Sequence, residues 1–195
     1  MFRRTSGGKV QGVLSDWDSA CNKETEGEYN RDEMYVGTRA FISRELHIKK
    51  PLIHYERYDY ESLLYSLYWI GVFYSEGKSR PETEISEAYE HWKEWNSYKD
   101  DTIRAYKGEF LNSVQNESWM SSFFLPLSRS WLQPMKKLFR NGYYAKLNYE
   151  EVGRESLENE RKEEDSAPGT SKTAFNDETL GGHVTFQRIY KILLQ

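Results

Sequence analysis

The run Glu61-Ser-Leu-Leu-Tyr-Ser-Leu-Tyr-Trp-Ile-Gly-Val-Phe-Tyr74 constrains this chain more than any other segment. Wound as a helix, it is apolar on nearly every face, and such a helix needs protein around it. A strand is the rival reading, and length decides for a helix over residues 57–74. The apolar stretch from Leu63 to Tyr74, interrupted by Ser66, is twelve residues long. That is too short to span a bilayer.

The full 195-residue sequence bounds what surrounds that helix. Its length suits one domain with a small appendage. Fifteen Tyr and six Trp move much of the core onto rings with a polar edge. Net charge is −4, from 27 basic and 31 acidic side chains, so no basic excess exists to meet phosphates. No nucleic-acid partner and no membrane are expected. Cys21 is the one cysteine, which excludes an intrachain disulfide and a cysteine-based metal site. The start, Met-Phe-Arg-Arg-Thr-Ser-Gly-Gly, lacks the apolar stretch of a signal peptide. The expected location is intracellular, cytoplasmic or nuclear.

Along the chain, residues 9–15 read as a short strand leading into Asp16. Residues 20–36 read as a loop, and 39–46 as one or two helical turns. Gly77 to Pro81 breaks the chain after the apolar helix. Residues 85–98 and 100–114 read as helices with Trp92, Trp95, Tyr106, Phe110 and Leu111 turned inward. Residues 129–147 form another, with Trp131, Leu132, Met135, Leu138 and Phe139 as its apolar positions and Pro134 in or near its first turn. Residues 150–178 hold ten acidic and four basic side chains with little apolar content, and read as mobile. Thr185 to Leu194 then carries a helical stripe of Phe186, Ile189, Tyr190 and Leu193. The expected organisation is a lobe over 1–149, an acidic mobile insert over 150–180 and a docked C-terminal helix over 181–195.

Three blocks occur in order: Gly12-Val-Leu-Ser-Asp16-Trp-Asp-Ser-Ala20, Gly37-Thr-Arg-Ala-Phe-Ile-Ser-Arg-Glu-Leu46, and Tyr58-Asp-Tyr-Glu-Ser-Leu-Leu-Tyr65. Together they resemble the C-terminal lobe of protein kinases, with a strand and metal-binding Asp, an activation segment and a buried helix headed by Asp. The closer resemblance is to the fungal-type protein kinase family. That family's patterns are Asp-Phe-Asp-Leu-Ala, Gly-Thr-x-Pro-Phe-Met-Ala-x-Glu-Leu and His-Asp-Leu-Glu-Ser. The resemblance covers roughly residues 10–75. It continues more loosely through Trp92, Lys107 to Leu111 and Thr179-Leu-Gly-Gly-His. It implies a mainly α-helical, protein-kinase-like C-terminal lobe with a short N-terminal β element, the N-terminal lobe being absent.

The resemblance also implies roles. Asp16 stands where the family holds magnesium against nucleotide phosphates, a place suited to a carboxylate. A turn Asp closing a strand is the plainer reading. Thr38 stands in the substrate-docking loop, or caps the turns over 39–46. Glu45 stands where the family ties that loop to a later Arg, with Arg129 and Arg140 as candidates. Asp59 stands where the family caps the buried helix and holds the catalytic loop. Ala40, Ile42, Ser43 and Tyr60 replace the family's Pro, Met, Ala and Leu, and Tyr58 its His. These departures bear on docking more than on fold.

Neither a Gly-x-Gly-x-x-Gly loop nor a His-Arg-Asp catalytic loop occurs in the sequence. No catalytic residue is therefore expected here, and Mg2+ and ATP are cofactors of the intact family, bound by nothing in this chain alone. The four His are scattered without metal-ligand spacing. Three functions compete: a truncated kinase inactive by itself, a kinase-like module binding a protein partner or the missing lobe, and an unrelated helical protein.

Overall fold

The computed structural model describes residues 2–12, 38–47, 53–97, 99–113, 118–160 and 174–195. Asp16, the end of the 9–15 strand and the 20–36 loop lie outside them. The chain divides into two compact units, residues 1–37 and 38–195. In the first, β1 (Phe2–Arg4) pairs antiparallel with β2 (Val10–Gly12), Phe2 opposite Gly12 and Arg4 opposite Val10. The turn between them closes through Thr5 N–H to Lys9 C=O (2.9 Å) and Gly8 N–H to Thr5 C=O (2.9 Å). Gly8 supplies its left-handed φ of 76°.

The second unit is mainly helical, as its apolar spacings require. A 3-10 turn, Arg44–His47, precedes α1 (Glu56–Phe73). On α1, Glu61, Leu64, Tyr65, Tyr68 and Val72 are buried at spacings of three and four. Leu63 and Ile70 on the other side are exposed, so the described protein encloses one broad face rather than the whole helix. A tight hairpin follows, β3 (Tyr74–Ser75) against β4 (Lys78–Ser79). Its two central residues, Glu76 and Gly77, both have positive φ, as a turn matched to strand twist requires.

Two amphipathic helices, α2 (Ser86–Ser97) and α3 (Asp100–Asn112), deliver the predicted rings. Trp92, Trp95, Phe110 and Leu111 are buried. Trp95 meets Tyr65 of α1 edge-on at 5.5 Å and Phe110 of α3 at 5.7 Å. Edge-to-face geometry suits the ring quadrupoles, so three helices lock through one aromatic cluster.

The last long helix departs from expectation at both ends. It starts as α4 (Leu125–Leu127), with Pro126 in its opening turn. It widens into a π turn over Ser128–Leu132 and continues as α5 (Gln133–Glu160). Pro134 is therefore inside the helical passage. Its ring and missing N–H disrupt the α-helical ladder, and the π turn lies directly ahead of it. The run 150–160 was expected as part of a mobile insert. It is helical over that span, since Glu, Arg and Leu favour helix.

Residues 161–173 lie outside the described residues. Beyond them, 174–184 folds as turns with Leu180 and Val184 buried. In α6 (Phe186–Leu193) the buried residues are Ile189 and Ile192, while Phe186 and Tyr190 lie exposed and stacked at 5.5 Å. Thr185 caps it through Oγ1, which accepts from Arg188 N–H at 3.3 Å. The expected stripe is rotated, because the helix buries aliphatic residues and leaves the rings in contact with each other. Among the described residues no helix is long and apolar enough to cross a membrane.

Candidate functional site

The segment Thr38–His47 is held to the helices by buried charges on α1 and α3 and a half-buried one on α5. Glu61 of α1 is fully buried. Its Oε2 accepts from Ser43 Oγ (2.5 Å) and Tyr143 OH (2.7 Å), and its Oε1 accepts from Arg44 N–H (3.0 Å) and Tyr65 OH (2.5 Å). Four donors converge on one carboxylate, which is what allows it to be buried at all. Burial and the neighbouring Glu61 hold the Tyr65 and Tyr143 hydroxyls well above their ordinary pKa. The Arg44 guanidinium lies over the Tyr143 ring at 4.5 Å. Gly108 makes room for it, since a Cβ there would sit 3.2 Å from the guanidinium.

Lys107 of α3 is equally buried. Its Nζ donates to the carbonyls of Arg39 (2.9 Å) and Ile42, and lies 3.0 Å from His47 Nε2. Burial, reinforced by Arg39 and opposed by Glu61, lowers its pKa to about 7. His47 Nδ1 lies 3.2 Å from Asp100 Oδ1, which also meets Arg39 at 2.7 Å. Burial and then Lys107 lower the His47 pKa, with Asp100 opposing them. A neutral His47 protonated at Nδ1 satisfies both neighbours. Ala40 N–H donates to Asn96 Oδ1 at 3.3 Å, a bond that the family's Pro at that place cannot make.

The third anchor corrects an expectation. Glu45 pairs with Arg57 and with Lys146 (2.9 Å), not with Arg129 or Arg140. Arg57, at the start of α1, is almost wholly buried between the Glu45 carboxylate and the Asp177 carbonyl, which accepts from Nε at 2.7 Å. It also lies over the Tyr58 ring at 4.4 Å. Lys146 of α5 closes the group by pairing with Asp177 at 2.8 Å. Burial raises the Glu45 pKa, but Arg57 and Lys146 outweigh it and leave the carboxyl lowered.

The other expected residues fall differently. Thr38 is exposed, and its carbonyl closes the turn by accepting from Phe41 N–H (2.8 Å) and Ile42 N–H (3.3 Å). Its hydroxyl bonds nothing among the described residues. Asp59 is not the helix cap. Tyr55 occupies that position without a side-chain bond, because burial of Arg57 and Tyr58 starts the helix earlier. Asp59 sits exposed in the first turn, 3.2 Å from His54 Nε2, where a carboxylate still favours the helix dipole.

Glu61, Lys107, Arg57 and Lys146 were given no role from sequence. The signals were present. Glu61 is the one charged residue between Tyr60 and Ser75. Lys107 shares a helix face with Ile103, Phe110 and Leu111. Among the described residues no group of three or more His, Cys, Asp or Glu could hold a metal ion, and Asp16 lies outside them.

A mainly helical unit, with Thr38–His47 pinned against α1 and α3, is consistent with a kinase-like C-terminal lobe. The family model described as fungal protein kinase matches residues 1–71 and supports that resemblance over this stretch. No curated protein and no solved structure matches the chain.

Proposed function

We propose that this chain carries the substrate-docking part of a fungal-type protein kinase, in a family whose activity is ATP-dependent phosphoryl transfer to protein Ser or Thr. One observation carries the reading. Glu61, Lys107 and Arg57, buried charges on α1 and α3, direct their bonds at residues 39–45. Phosphoryl transfer depends on positioning, and positioning needs a docking loop of one shape. In this reading Asp16 is the magnesium ligand and Mg2+ with ATP the cofactors of the intact family.

These 195 residues hold no Gly-rich loop and no His-Arg-Asp. By themselves they transfer no phosphate. The purified chain, given magnesium, labelled ATP and an acceptor protein, should incorporate nothing. Incorporation that disappears in Asp16→Ala overturns this. The docking role has its own test. Ser/Thr peptides titrated into isotope-labelled chain should shift the amide resonances of 38–47, and shifts confined elsewhere overturn it.

The second reading is a kinase-like module that binds a protein partner. It is favoured by an aromatic cavity of about 210 Å3 lined by Trp69, Phe73, Tyr74, Ile85 and Tyr89. Phe41 of the docking segment meets Trp69 edge-on at 5.9 Å, so loop and cavity form one surface. Binding of a partner at undiminished affinity by Asp16→Ala favours this reading over the first.

A further inference from the structure

A second cleft, of about 530 Å3, lies along the start of α5 and bears no relation to the docking segment's anchors. Among the described residues its lining includes Arg129, Lys136, Lys137 and Arg140, with Ser113 and Gln133 beside them and no carboxylate. Four cations on one wall stand out in a chain of net charge −4. Lys136 is only 4% exposed, with Nζ 3.5 Å from Ser113 Oγ and 4.6 Å from the Phe110 ring centroid. Arg129 and Lys137 are exposed and Arg140 half-buried, and none of the three has an ion-pair partner among the described residues. The cleft begins on the π turn, a distortion frequent at functional sites.

Like charges crowded on one wall repel, and an anion between them relieves the repulsion. The guanidinium forks of Arg129 and Arg140 match phosphate geometry, and Lys136 offers a point charge. From Arg129 to Arg140 the helix rises roughly 16 Å at about 1.5 Å per residue. One inorganic phosphate cannot touch both ends. An extended peptide of about five residues at roughly 3.3 Å each can. Nucleic acid is disfavoured by the net negative charge of the rest of the chain.

We propose that this cleft binds a phosphorylated, acidic peptide segment of a partner protein. The phosphate sits over Lys136 and Arg140, one helical turn apart. Arg129 and Lys137 meet the flanking carboxylates. The proposal stands independently of the kinase reading.

Fluorescence anisotropy on the full 195-residue chain tests it, with a labelled phosphoserine peptide flanked by acidic residues, its unphosphorylated twin and a single-stranded RNA of equal charge. The phosphopeptide should bind saturably and at least tenfold more tightly than the twin or the RNA. Arg129→Gln with Arg140→Gln should lower that affinity at least tenfold with the melting temperature held. Lys137→Glu, at an exposed position, should weaken it as well and serves if the double variant folds poorly. Absence of saturable binding, equal binding of twin or RNA, or indifference to both variants overturns the proposal. So does displacement of the peptide by inorganic phosphate at the peptide's own concentration.

Discussion

Glu61 shows how one residue can decide the shape of a segment far from it in sequence. Its carboxylate gathers Ser43, Arg44, Tyr65 and Tyr143 in a site without water access. Removing one partner of such a group leaves the others buried and unpaired. Glu61→Ala should therefore cost about 3–5 kcal/mol, against about 1 kcal/mol for Ser43→Ala. Urea denaturation of the two variants checks the order, and near-equal losses would refute it. Lys107 gives stability a pH dependence. Its pKa is about 7 when folded against an ordinary 10.5, so the unfolded chain holds the additional proton between those values. Stability then rises with pH across that window. His47, also lowered, works in the same sense below its ordinary 6.5. Urea midpoints should climb from pH 7 to 9, and Lys107→Met should flatten the climb. A flat wild-type profile contradicts the assignment.

At the scale of the element, two glycines in α5 make opposite predictions. A Cβ at Gly142 would lie 2.7 Å from Leu180 Cβ, so the helix is smooth there to admit the 174–184 turns. A Cβ at Gly153 meets nothing within 4 Å. Ala gains up to about 1 kcal/mol over Gly in a helix interior. Gly153→Ala should therefore stabilise, whereas Gly142→Ala should destabilise, because Leu180 is fully buried and its Cβ cannot swing away. Thermal melts of both variants decide it, and a raised melting temperature for Gly142→Ala would show that the turns yield easily.

Across the 38–195 unit, residues 38–47 are tied to α1, α3 and α5, and through Arg57 and Lys146 to the 174–184 turns. Arg57 reaches from the start of α1 to the Asp177 carbonyl, 120 positions away in sequence. A segment anchored at so many points should open only with the helices beneath it. Amide exchange at Arg44, whose N–H is held by Glu61, should be as slow as in the middle of α1. In Glu61→Ala, protection at Arg44 should fall well before that of Tyr65 and Tyr68. Fast exchange at Arg44 in the wild type would show a loop that opens by itself and would weaken the docking role.

The elements were legible where periodicity is strong. The length of the apolar run ending at Tyr74 determined α1, and Trp92, Trp95, Phe110 and Leu111 determined the inward faces of α2 and α3, because apolar area at helical period must be buried. The order of the Gly37–Leu46 and Tyr58–Tyr65 blocks was also enough to single out the segment that the structure pins against α1 and α3. Its fastening was not. Glu45 and Arg57 are twelve residues apart, but Glu45 and Lys146 are 101 apart, and a charge in sequence carries no address for its partner. Burial of Glu61 and Lys107 depends on donors and acceptors delivered by other elements, so only the tertiary structure decides that these two charges are core residues and that Asp59 is not the cap.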